Sequence, residues 1–140
     1  MYKRNPDFFA DLTESQTIFI DMDAGVFYLL PLFASLVFRM LINGASLKDI
    51  QNTLSKIPEI PSDYTKRIDE VISELLRHKL IIESDTPETL PEININEIII
   101  HELQESDFNY AIEPSTDLQK LLLDDPIHDV SLDGWTPVVK

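Results

Sequence analysis

An α+β domain is what the sequence predicts, on three observations. Two runs rich in β-branched and aromatic residues flank an acidic glycine turn between residues 17 and 30. Three stretches of helical periodicity follow between 32 and 77, and a short apolar run at 79–83 closes the set.

The paired runs are Thr17-Ile-Phe-Ile-Asp21 and Val26-Phe-Tyr-Leu-Leu30, joined by Met22-Asp-Ala-Gly25. Gly25 can supply the positive φ of a hairpin turn. Phe8-Phe9 predicts the start of an earlier strand. Pro31 suits a helix start, where its missing N–H is no loss. Leu32, Phe33, Leu36, Val37, Met40 and Leu41 then recur at helical spacing until Asn43-Gly44 stops them. Ser46 is placed to cap a second helix carrying Leu47, Ile50 and Leu54. A proline-punctuated connection leads to a third helix starting near Ser62 or Asp63, with Tyr64, Ile68, Val71, Ile72, Leu75 and Leu76 on one stripe. Lys79-Leu-Ile-Ile-Glu83 predicts a closing strand. A small antiparallel β-sheet with three helices in this order is winged-helix-like. The predicted core draws on Phe19, Phe27, Leu32, Leu36, Met40, Leu54, Ile68, Ile72 and Leu76.

The chain has 140 residues, of which 44% are hydrophobic, enough for one core. With no cysteine, disulfides, thiolate metal sites and cysteine nucleophiles are excluded. A formal charge of −14 argues against nucleic-acid and anionic-membrane partners, and points to a soluble cytoplasmic protein. No apolar segment reads as a targeting signal or a membrane span, because Pro31 and Arg39 interrupt the longest one. Residues 1–85 carry 9 basic and 13 acidic residues, and residues 86–140 carry 2 and 12. The second part also holds five of the nine prolines. This shift predicts a domain over 1–85 followed by an acidic, partly disordered extension over 86–140. Within it, Ile93 to Leu103 fits strand and helix alike, and Thr116 to Leu123 fits a short helix.

Catalysis finds little support in the residues. His78, His101 and His128 are far apart, and none forms a metal-ligand pair at helical spacing. His78 at a helix end suits the macrodipole, and His101 beside an apolar run reads as packing. Asp21 and Asp23 are explained by turn chemistry, as are Asp124-Asp125 before Pro126. The expectation is a chain that is not an enzyme and needs neither cofactor nor metal. A DNA-reading role is disfavoured because Lys66, Arg67 and Arg77 on the third helix are balanced by Asp69, Glu70 and Glu74.

The run from Ile18 to Ile50 resembles the PqqD family. The shared pattern is strand, acidic-glycine turn, strand, then an apolar helix, Gly44, and Ser46-Leu-Lys-Asp-Ile50. Glu74-Leu-Leu-Arg-His-Lys-Leu-Ile81 is similar to the family's closing pattern, so the resemblance covers residues 8–83. Leu30-Pro31 departs from the family's usual asparagine and small residues at the start of the first helix. The motifs are hydrophobic patterns, not catalytic signatures.

The resemblance implies a peptide chaperone for ribosomally made, post-translationally modified peptides. Such a domain binds the leader of a precursor peptide as an added strand and presents it to a tailoring enzyme, often a radical-SAM enzyme. Carried over, it assigns Val26, Phe27, Tyr28 and Leu29 to the docking strand and Arg67, Val71, Leu75 and His78 to the groove wall. Phe27, Leu29, Val71 and Leu75 also fit an ordinary core. In the tail, Leu118, Leu121 and Leu122 share a helical face, and Trp135 is placed to anchor a partner. Two other classes stay open: a fused substrate whose own tail is modified, and a winged-helix regulator.

Overall fold

A computed structural model of the chain describes residues 1–13 and 16–116. It is a mixed α+β fold. The elements among these residues are β1 (Tyr2–Arg4), β2 (Phe9–Leu12), β3 (Thr17–Asp21), β4 (Val26–Leu30), α1 (Leu32–Ile42), α2 (Leu47–Leu54), α3 (Tyr64–Arg77), β5 (Ile81–Glu83), α4 (Glu97–Glu105) and β6 (Glu113–Ser115). β1 and β5 form an antiparallel pair of their own. The other four strands form an antiparallel sheet in the order β2-β3-β4-β6.

The predicted hairpin forms as β3 and β4. Gly25 takes φ +69°, and Asp21 accepts from the backbone N–H groups of Asp23 and Ala24, which tightens the turn. Residues paired across an antiparallel ladder share a face. Ala10, Phe19 and Tyr28 therefore point one way, and Phe8 packs edge-on against both aromatic rings. Phe9, Ile20 and Phe27 point the other way, as do Ile18 and Leu29.

Pro31 stands just before α1, at its N-cap. This helix is buried almost all round, Phe33 to Arg39 together with Leu41 and Ile42, because α2, α3, α4 and β4 all pack on it. The predicted Leu32 and Met40 are only half-buried, whereas Phe33, Phe38 and Ile42 fill the centre. A stripe is the wrong pattern for a helix surrounded on every side. α2 opens with a full capping box, Ser46 accepting from Asp49 N–H and Asp49 from Ser46 N–H. On α3, Ile68, Val71 and Leu75 are buried, while Leu76 is 40% exposed and leaves the predicted core.

The core also continues beyond residue 85. Ile93, Ile99, Leu103, Phe108 and Ile112 belong to the same cluster as Phe19, Phe33 and Ile68. The segment connecting β5 to α4 is tied down by polar bonds. Asn43 exchanges two hydrogen bonds with the Leu90 backbone, at 2.8 and 3.0 Å, and Arg4 pairs with Glu88 at 2.8 Å. Burial pushes the Glu88 carboxyl up, but the Arg4 side chain and backbone donors outweigh it and hold its pKa below the usual range. Arg39, which interrupts the longest apolar run, is 2% exposed and donates to the carbonyls of Thr13, Gln16 and Pro91. Its guanidinium thus staples the β2–β3 turn and the segment after β5 to α1, while desolvation pulls its pKa down.

The ambiguous Ile93–Leu103 stretch resolves into two parts. Ile93 and Ile95 alternate in an extended segment, and Asn96 then caps α4 by accepting from Ile99 N–H at 3.0 Å. His101 is exposed on α4, where it pairs with Glu105, and is not a packing residue. Leu118, Leu121, Leu122 and Trp135, with the predicted helix they belong to, lie outside the described residues.

Candidate functional site

The edge of β4 is where the expected docking residues meet, and the chain's own β6 lies on it. Phe27 pairs with Ser115, Tyr28 with Pro114 and Leu29 with Glu113. The hydrogen-bonding alternation can be followed from Thr13 N–H, which donates to Gln16 O, across the sheet. Tyr28 turns its N–H and C=O toward β3, whereas Phe27 and Leu29 turn theirs toward β6. Glu113 and Ser115 therefore face β4 with their backbone groups, and the missing N–H of Pro114 faces outward. A proline there leaves the pairing intact and blunts the outer edge against another strand.

What brings β6 to this edge is a tight reversal after α4. Asp107 and Phe108 both sit in the left-handed region, at φ +54° and +53°. Two such non-glycine residues in succession are costly, and Arg67 on α3 holds them. Its Nη1 donates to the carbonyls of Asp107 at 3.0 Å and Phe108 at 3.1 Å, its Nε pairs with Asp63 at 3.0 Å, and its guanidinium lies 5.4 Å from the Tyr110 ring centroid. Phe108, Tyr110 and Ile112 then alternate inward, with Phe108 and Tyr110 edge-on to Phe33. Tyr110 donates to Glu70 at 2.6 Å.

At the other end of the edge, His78 stacks at a tilt on Tyr28, with centroids 5.1 Å apart, and its Nε2 lies 3.5 Å from Glu74. The Arg77 donors hold the Glu74 carboxyl below its usual range. Of the eight expected peptide-binding residues, Val26, Phe27, Tyr28 and Leu29 thus form the edge, and Arg67 and His78 flank it. Val71 and Leu75 do not line it. They fall on the face of α3 that packs against α1, and both are fully buried, so they are core.

Tyr110, Ile112, Glu70 and β6 itself were not expected at this site. The signal for them is the period-two spacing of Phe108, Tyr110 and Ile112, which is a strand pattern hidden by the acidic, proline-containing context. Among the described residues, no three His, Asp or Glu side chains converge as metal ligands, and no helix is long and apolar enough to cross a membrane.

The Tyr110–Glu70 bond gives the site a pH signature. The hydrogen bond to the Glu70 carboxylate, with burial, raises the Tyr110 pKa above its ordinary value. A raised pKa contributes stability that is full below the unfolded value, about 10, and is lost as pH climbs through the folded one. The protection of amides 109–113, measured against their intrinsic base-catalysed exchange rate, should therefore fall above about pH 10, and Tyr110→Phe should remove that step. An identical alkaline profile in the variant would show that the bond carries none of it. Comparison with protein-family models, curated proteins and solved structures finds no match for the chain.

Proposed function

We propose that this chain is a cytoplasmic, non-enzymatic peptide chaperone of PqqD-like type. It binds the leader segment of a ribosomally made precursor by strand addition at β4 and presents the peptide to a tailoring enzyme, a radical-SAM enzyme being the partner the resemblance suggests. The observation that carries this reading is that the β4 edge, beside α3, accepts an extended antiparallel segment, namely residues 113–115. Backbone groups of Phe27 and Leu29 supply main-chain pairing, and flanking side chains supply selectivity. Since β6 already lies there, a leader binds by exchange, taking its place on β4.

Titration of the full chain with leader peptides from precursors encoded beside its gene tests this. Affinity at roughly the micromolar level, about −8 kcal/mol, is expected, with loss of exchange protection in Glu113 and Ser115. Binding that leaves those two amides protected would place the peptide elsewhere. A second reading is favoured by the same pairing: β6 acts as a leader in cis, so that the residues after Thr116 are the substrate. A mass change confined to residues 117–140 after co-expression with the tailoring enzyme would select it. The third class, a winged-helix regulator, has no comparable observation behind it.

A further inference from the structure

The sheet has a second apolar surface, on the side away from the core. Across the strands, Phe9, Ile20 and Phe27 form one row with Ser115, and Asp11, Ile18, Leu29 and Glu113 form the next. None of the five apolar residues belongs to the core cluster or to the side chains packed against it; Phe9 is 58% exposed, and Ile18, Ile20, Phe27 and Leu29 are half-buried. Placing five large apolar side chains on one outward face is unfavourable unless something covers them.

The charges around the face indicate what covers it. Asp11 and Glu113 are exposed and stand at the two ends of one row. β2, β3, the turn after β3, β4 and β6 together contain no Lys, Arg or His. A second copy would set these carboxylates against their own kind. Residues 117–140, with five aspartates and two lysines, also bring net negative charge.

We infer that this face is a docking surface for a partner protein's amphipathic helix whose apolar stripe is flanked on both sides by Lys or Arg. The dimensions fit. Four strands span about 14 Å, and a helix about 10 Å wide laid along them covers Ile18, Ile20, Phe27 and Leu29. Its basic flanks then reach Asp11 on one side and Glu113 on the other. The surface shares Phe27 and Leu29 with the β4 edge but uses their side chains, and with Glu113 it is complete while β6 occupies that edge, so it does not depend on a leader binding there.

The test uses the full chain and a designed helical peptide of about 14 residues with leucines at i, i+3, i+4 and i+7 flanked by lysines, beside a twin carrying glutamates in their place. Addition of the lysine peptide should shift the NMR signals of Phe9, Ile18, Ile20, Phe27 and Leu29. The glutamate twin should bind at least about tenfold more weakly, and Asp11→Asn with Glu113→Gln, both at exposed positions, should weaken the lysine peptide by about tenfold. Equal binding of the twins would reduce the face to nonspecific stickiness and overturn the inference. So would shifts centred on other residues, a concentration-dependent dimer, or five side chains already shielded from a soluble paramagnetic probe in the free chain, which would assign the face to residues 117–140.

Discussion

Ile112→Ala is expected to lower stability by about 2–4 kcal/mol and to open the β4 edge to a peptide added in trans. Ile112 is 4% exposed and anchors β6 directly before its first pairing residue. The rest of β6 is lightly held, since Glu113 and Pro114 are exposed and only three residues pair. In the wild-type chain the covalent link gives β6 an effective concentration near the millimolar range, so a free peptide of β6's own sequence is shut out and only a leader that pairs more tightly than β6 displaces it. Removing about 2–4 kcal/mol divides the closing equilibrium by roughly 30 to 1,000. A synthetic peptide of residues 107–116 should then bind the variant, detected by fluorescence anisotropy, and not the wild type. Glu113→Pro is the companion variant. It removes a backbone N–H aimed at β4 without touching the core, and should open the edge with a smaller stability loss. A folded Ile112→Ala chain that ignores the peptide would sink strand exchange as the binding mode.

The same region explains what could and could not be read beforehand. The hairpin at 17–30 was legible because β-branched runs and Gly25 agree with each other at every level. α2 was legible from Ser46, whose capping box is local. β1 and β6 were not, because each has three residues and its pairing partner lies 77 to 88 residues away in sequence. Nothing in Glu113-Pro114-Ser115 favours a strand, and its extended form is imposed by the β4 edge and by the anchors before it. Charge also misdirected the domain boundary. The acidic excess after residue 85 lies on exposed positions such as Glu92, Glu97, Glu102 and Glu105, whereas isoleucines, Leu103 and Phe108 between them enter the core. Net charge measures the surface of a segment, not whether its other face is buried. Val71 and Leu75 erred in the opposite sense. The resemblance assigned them to a groove, while helical periodicity, which placed both on the apolar stripe of α3, described them correctly.

Arg67 carries the other large effect. Arg67→Ala should cost about 2–4 kcal/mol, more than an exposed arginine with one ion pair would. The Asp63 pair is an i, i+4 contact with a half-exposed partner and contributes about 0.3–0.5 kcal/mol. Stacking on Tyr110 adds about 0.5–1 kcal/mol. The larger part comes from the charged donor to the Asp107 and Phe108 carbonyls, where such bonds contribute about 1.5–3 kcal/mol. Those carbonyls belong to the two left-handed residues, so the loss is concentrated in the reversal that aims β6 at β4. Arg67→Lys should not restore it, because one ammonium cannot serve two carbonyls and a carboxylate while lying flat on an aromatic ring. Asp107→Gly, which removes a left-handed side chain and keeps the carbonyl, should recover about 0.5–1 kcal/mol in the Arg67→Ala background. The decisive readout is local: hydrogen exchange should rise across residues 107–115 while the amides of α1 and α3 keep their protection. Uniform loss of protection throughout the chain would mean that Arg67 supports the whole core, and that the reversal and β6 do not open as a separate unit.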